Sequence, residues 1–381
     1  MNKGIIASIT AVGVFCLTTG LSYPLLALIL EDMGASSGLI GLNAAMGPIG
    51  IILSAPFVPR LARKFGAWFI CVTSLCSSAV LLLMLAVFRD VMIWFPIRFF
   101  LGVAISAIFI ISETWINQLA MPRIRGRIIG TYNTVAAAGF ALGPLTLAVI
   151  GSQGWPPFLV GITGILIALP VFVLARDHLP GFDGREDASV FSFLSLAPML
   201  LLAVAFAALF DQVVLSFLPI YGLRHGLTEA TSSLALAVMI IGNVVLQIPI
   251  GWLADRISRR FLMNIMAIAT MIGSLLLSLL IGESMLLWPM LFVWGAIAFG
   301  IYTIALVELG DRFSGALLLA GNGAFGMMWG IGGIFGPPVA GAAMDLIGPE
   351  GLPIILGLAS CVLVVATVFM PLSRVKPTQS Y

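Results

Sequence analysis

The sequence predicts an all-α polytopic membrane protein, with twelve transmembrane helices in two six-helix pseudo-repeat halves. Three observations predict it. Hydrophobic residues make up 61 % of the 381-residue chain and charged residues only 9 %, against about 25 % charged in a soluble domain. A soluble reading needs a core larger than single domains build. The apolar residues fall in blocks of about 20, the length that spans hydrocarbon as a helix. Finally, landmarks of the first half recur in the second at one fixed spacing.

Spans are expected near 5–30, 38–59, 67–88, 91–118, 128–150 and 157–175, then near 193–222, 231–253, 261–281, 285–308, 315–342 and 351–371. The first run is too long for a signal h-region and has no A-x-A exit, so it reads as a retained span. The second and third spans are joined by the basic segment Pro59-Arg60-Leu61-Ala62-Arg63-Lys64-Phe65-Gly66. The fourth and fifth are joined by the basic loop Arg123 to Arg127. Only residues 176–191 make a long polar connection, and they read as a linker between an N-terminal half, 1–175, and a C-terminal half, 192–381, with a short tail. In the second half, Gly251-Trp252-Leu253-Ala254-Asp255-Arg256-Ile257-Ser258-Arg259-Arg260 is a short charged turn between two apolar runs, and Gly251 suits a close backbone turn. The tenth span ends at Glu308, beside Asp311 and Arg312.

Lysine and arginine set the expected orientation. All of them except Arg89, Arg98 and Arg224 fall on one side of this span pattern, which places both termini in the cytoplasm. The repeat shows as Gly139-x-x-x-Gly143-Pro144 in the fifth span and Gly332-x-x-x-Gly336-Pro337 in the eleventh, 193 residues later. Gly102 and Gly295 obey the same offset. Small residues also serve helix packing, since they let backbones approach. A repeat of six-helix halves places a substrate site near mid-membrane where halves meet.

On these residues the whole chain resembles the major facilitator superfamily. Gly251 to Arg260 is similar to the G-x-L-a-D-R-x-G-R-K/R loop that the family carries after the second helix of each half, with Ser258 in place of the second glycine. The first-half counterpart keeps Arg60, Arg63 and Lys64 but has Pro59 where the family has Asp. Arg98-x-x-x-Gly102 resembles the arginine motif of proton-coupled members, and Gly139 to Pro144 resembles the fifth-helix motif of proton antiporters. Arg98-Phe99-Phe100-Leu101-Gly102, continuing to Ser112-Glu113-Thr114-Trp115-Ile116-Asn117, looks like the YcaD-like bacterial branch. The resemblance implies a monomer in a bacterial cytoplasmic (inner) membrane, working by alternating access. It implies a cytoplasmic gate at Gly251, Asp255, Arg256, Arg259 and Arg260, with Arg60, Arg63 and Lys64 of the first-half counterpart. With Pro59 lacking the acid, the second half dominates that gate. Glycines 139, 143, 332 and 336, with Pro144 and Pro337, form the packing pivots.

Few ionisable groups lie inside the spans, and each needs a cavity or a partner, because a mid-bilayer carboxylate costs about 2.5–3.5 kcal/mol on insertion scales. Asp211, flanked by Phe210 and Gln212, is the deepest. It reads either as a proton acceptor or cation ligand, or as a hydrogen-bonded strut. Arg98 reads as a tuner of a nearby acid or as a snorkelling anchor. Glu113 lies about 22 Å further along the same helix and reads as an inner proton site or as a brace to the basic loop. Asn43, Asn133, Asn243, Gln247 and Asn322 are divided between cavity lining and interhelical bonding. Glu308 reads as an interfacial ion-pair residue.

The four cysteines lie in apolar runs without C-x-x-C spacing, and the two histidines, His178 and His225, sit in loops. No metal site and no cofactor is expected. No nucleophile–base constellation or phosphate loop points to an enzyme, no filter-like segment points to a channel, and topology accounts for the basic residues, so no nucleic-acid partner is expected. The expected partners are the lipid bilayer, a small-molecule substrate and protons. The function expected is secondary active transport, proton-coupled, with export by antiport favoured over uptake by symport. A transport-inactive sensor or scaffold with the same fold is the alternative of another class.

Overall fold

The computed structural model describes residues 3–119, 125–181, 193–254, 256–282, 285–313 and 315–370. Among these, twelve helices are long and apolar enough to cross a membrane. In the first half they are α1 (Lys3–Asp32), α2 (Ser37–Ser54), α4 (Ala67–Val87), α5 (Val91–Leu119), α6 (Arg125–Ile150) and α7 (Pro156–Ala175). In the second they are α8 (Pro198–Arg224), α9 (Glu229–Ala254), α10 (Arg259–Leu280), α11 (Leu287–Arg312), α12 (Gly315–Ile347) and α13 (Gly351–Phe369). The twelve expected spans are therefore present. Most of the linker segment lies outside the described residues; its first three, Arg176–His178, form a 3-10 turn.

One segment departs from expectation. The second span stops at Ser54, not near 59, and the basic segment after it is a separate short helix, α3 (Val58–Phe65). Pro59 fits its first turn, where no backbone donor is lost, and Arg63 and Lys64 in the last turn complement the helix dipole. Val58 and Ala62 are buried, while Arg60, Arg63 and Lys64 are exposed. Gly66 ends the helix at φ 89, a conformation that favours glycine.

Several hydroxyls inside the apolar helices are satisfied locally. Ser8, Thr19, Ser78, Thr114, Thr270 and Ser360 each donate to the carbonyl four residues earlier. For these six the donor is met within the helix itself, as an apolar surround without water requires.

The chain divides into two compact units, residues Met1–Ala35 with Met46–Arg185, and residues Ser36–Ala45 with Glu186–Tyr381. The first ten of these second-unit residues hold the start of α2. In the first unit α1 is the centre, packed on α5, α6 and α7, with α4 on α5 and α7. In the second unit α8 holds that place, packed on α12, α9, α11 and α13, while α9 lies along α11 and α10 along α13.

The repeated glycines sit at equivalent contacts in each unit. A Cβ on Gly102 of α5 meets the Gly47 carbonyl oxygen of α2 at 2.2 Å, and one on Gly295 of α11 meets the Met239 carbonyl oxygen of α9 at 2.2 Å. Gly139 and Gly143 of α6 face Gly13 and Gly20 of α1, and Gly332 and Gly336 of α12 face Ala205 and Leu209 of α8. Pro144 and Pro337 follow inside those helices, where neighbouring helices make a proline tolerable.

Candidate functional site

The second unit holds most of the buried polar chemistry. Asp211 lies in α8, whose middle is buried on all sides, and it accepts a hydrogen bond from Gln212 Nε2 at 2.9 Å. The other amide atom, Gln212 Oε1, and Ser216 Oγ one turn on are buried and have no hydrogen-bond partner among the described residues. The residue before Asp211, Phe210, meets Trp294 edge-on at 5.1 Å and Phe299 at 5.7 Å. α8 thus carries a carboxylate, an amide oxygen and a hydroxyl in one apolar surround. Unpaired polar groups of that kind are costly unless a solute, water or proton meets them.

A second polar chain crosses α9 and α11. Gln247 Nε2 donates to Asn243 Oδ1 at 2.7 Å, and Thr303 Oγ1 donates to Gln247 Oε1 at 2.8 Å. Asn243 and Gln247 are thus joined as their i, i+4 spacing allows, and Thr303 is a member the sequence did not single out. Next to it, Tyr302 packs edge-on against Trp329 of α12 at 5.1 Å.

In the first unit Arg98 is buried with its guanidinium 4.8 Å from the centre of the Tyr23 ring, a cation–π contact that accounts for a cation in an apolar helix. Tyr23 came with no sequence signal beyond being one of five tyrosines. Glu113 and Asn133 are exposed on α5 and α6. The two helices are tied beside them by Ser112 Oγ and Tyr132 Oη at 3.2 Å. Phe15 of α1 packs on Phe109 of α5 with ring centres 4.8 Å apart.

The basic turn of the second half resolves into separate roles. Asp255 lies outside the described residues. Arg256 stacks on Trp252 at 3.8 Å. Arg260 donates to the Thr367 and Val368 carbonyls at 2.7 and 2.6 Å, capping the end of α13. Arg259 pairs with Glu308 at 3.0 Å and with Asp311, and Arg312 also pairs with Glu308. Glu308 is only 5 % exposed and is shared by two guanidiniums at the foot of α10 and α11, with Asp311 as the second acid on Arg259. Glu308→Gln is expected to remove the buried negative charge that Arg259 and Arg312 share, with Asp311 still on Arg259. The cost is about 1–3 kcal/mol, read as a lower Tm in detergent, while Asp311→Asn, at an exposed site, shifts it far less. Equal Tm values for the two variants would remove Glu308 from this role.

Two features at the opposite ends of these helices were not foreseen. Asp345 of α12 accepts from the Ser37 and Gly38 amides at the start of α2, both at 2.7 Å. Glu350 gathers Tyr221, Ser278 and His225. Both depend on acids late in the chain meeting groups that periodicity cannot pair with them.

A family profile described as the Major Facilitator Superfamily matches residues 9–316 and again residues 200–380. The uncharacterized MFS-type transporter YfkF of Bacillus subtilis (strain 168) is 27 % identical over 337 residues, 86 % of this chain and 85 % of that protein. The uncharacterized MFS-type transporter YcaD of Escherichia fergusonii is 26 % identical over 261 residues, 66 % of this chain and 65 % of that one. Among solved structures, the nucleoside transporter NupG superposes with a TM-score of 0.79 at 16 % identity, covering 97 % of this chain and 98 % of that chain. A D-xylose-proton symporter gives 0.74 at 16 % identity, covering 98 % and 99 %. At that identity the likeness is one of fold.

Proposed function

Because the chain belongs to the Major Facilitator Superfamily, we propose that it moves a small solute by alternating access and that Asp211 carries the coupling proton. Multi-pass membrane insertion and secondary transport follow from family membership. The observation that carries the finer reading is the buried Asp211 carboxylate, held by one amide donor beside the unpartnered Gln212 Oε1 and Ser216 Oγ. An intramembrane carboxylate that a transporter retains is by default a pathway or relay group. Arg98, Glu113, Asn133, Asn243 and Gln247 complete the proposed cavity and coupling set. Asn243 and Gln247, with Thr303, offer hydrogen-bonding groups to a solute.

Export by proton antiport is the favoured direction, on the resemblance of Gly139 to Pro144 to the antiporter motif. Uptake by symport is the second reading, since the same glycine pattern packs α12 on α8 as it packs α6 on α1, which gives it a structural role in both halves. The gate is assigned to Gly251, Asp255, Arg256, Arg259 and Arg260 together with Arg60, Arg63 and Lys64, and both termini are assigned to the cytoplasm of a bacterial inner membrane. A monomer is the proposed working unit. Purified protein in liposomes loaded with a pH dye, challenged with a panel of solutes, tests direction. Solute entry that drives protons outward marks antiport, and solute and protons entering together mark symport. Solute flux with no proton movement would overturn the coupling.

A further inference from the structure

His225 stands just past the end of α8, and both of its ring nitrogens face acceptors. Nδ1 is 2.8 Å from the Tyr221 carbonyl oxygen, and Nε2 is 2.9 Å from Glu350 Oε1. A neutral imidazole has one N–H and one lone pair. It can satisfy only one of these two contacts and turns a lone pair on the other. The pair therefore needs one more proton than neutral histidine and ionised glutamate supply together. That proton sits on the imidazole as a second N–H donor, or on Glu350 as an O–H donated to Nε2.

The surroundings favour the charged arrangement. Glu350 also accepts from Tyr221 Oη at 3.1 Å and Ser278 Oγ at 2.6 Å, which suits an ionised, acceptor-only carboxylate. His225 is the C-cap of α8 and Glu350 the N-cap of α13, so an imidazolium meets the negative end of one helix and a carboxylate the positive end of the other. The side chains are 23 % and 42 % exposed, which leaves solvent protons access to both. Three other charged groups lie at this end of the unit. Arg224 donates to Ser37 Oγ at 2.9 Å, Asp345 accepts the Ser37 and Gly38 amides, and Glu229 is in the first turn of α9.

We propose that His225 and Glu350 form a proton-binding site in the second unit that fastens the end of α8 to α10 and the head of α13. The site is separate from Asp211 and responds to the pH of the compartment it faces. The sign follows from the donors. With the proton bound, both nitrogens donate and the three helices are held. As pH rises and the proton leaves, one contact becomes acceptor against acceptor and the clamp weakens.

Thermal unfolding of the detergent-solubilised protein between pH 5 and 8, the range in which histidine charge is tunable, is the first test. The wild type is expected to lose Tm by about 2 °C or more on going from pH 5.5 to 8, relative to His225→Gln and Glu350→Gln. Identical pH profiles in all three proteins would overturn the site. The chain has two histidines, so a His178→Asn protein carries His225 as its single histidine. Its nitrogen NMR spectrum reads the ring directly, even if the other variants fold poorly. Two protonated ring nitrogens, or a bare Nε2 carrying a hydrogen bond from the Glu350 O–H, support the site, and a neutral ring with no proton shared between Nε2 and Glu350 at low pH overturns it.

Discussion

Asp211→Asn is expected to abolish solute-driven proton flux while leaving folded protein in the membrane at wild-type amounts. Asparagine has the size of aspartate and keeps an oxygen to accept the 2.9 Å bond from Gln212 Nε2. It cannot take up and release a proton. The substitution removes a group that is expensive inside the bilayer, so stability holds or rises, and any loss of flux reads as lost chemistry, not lost fold. Asp211→Glu keeps the acid one methylene further out in a tightly packed surround and is expected to restore partial flux, since over-filling a packed site costs about 1–3 kcal/mol. Both variants are compared by an internal pH dye and by uptake or release of the same solute. Proton flux that survives in Asp211→Asn moves the coupling role to Glu113 or Arg98.

The second large effect is on assembly. A Cβ built on Gly143 falls 2.2 Å from the Gly20 backbone carbon and 2.4 Å from its oxygen. Those atoms belong to the rigid backbone of α1 and cannot swing aside. Gly143→Val must therefore push α6 off α1, and α1 is the helix around which the first unit is packed. The expected outcome is a loss of several kcal/mol, beyond the about 1–3 kcal/mol typical of overpacked cores, seen as little folded protein recovered from the membrane. Gly332→Val is expected to act alike in the second unit, because its Cβ meets the Ala205 oxygen at 2.3 Å. Gly130→Ala on the same α6 is the control: nothing lies within 4 Å of its Cβ, and alanine favours a helix interior by about 0.5–1 kcal/mol. Wild-type melting by Gly143→Val would show that the glycine pair is not a close-packing contact.

These two cases mark what was legible. The glycine pairs were readable because a repeat leaves the same residue at the same offset, and close packing of helices without a hydrophobic drive between them needs small residues. Asp211 was readable because a single acid in an apolar run has no cheap explanation. The basic segment after α2 is expected as a connection between spans and folds as a helix. Its eight residues are too few for periodicity to register, and Pro59, a breaker inside a helix, is a starter in its first turn. Arg98 announced a need for a partner but not its identity, and the structure supplies an aromatic ring, Tyr23.

By itself the sequence determined the class, the twelve spans, the six-plus-six repeat and the positions of unusual charge. These follow from local composition, span length and periodic spacing, all readable along the chain. Only the tertiary structure decided the pairings. It decided that Arg259 meets Glu308 and Asp311, that Thr303 extends Asn243 and Gln247, and that Glu350 gathers His225, Tyr221 and Ser278. The physical reason is geometric. Which face of a helix meets which neighbour is set by the summed packing of many apolar side chains, and a hydrophobic sequence offers almost no local signal to choose among faces that are all apolar.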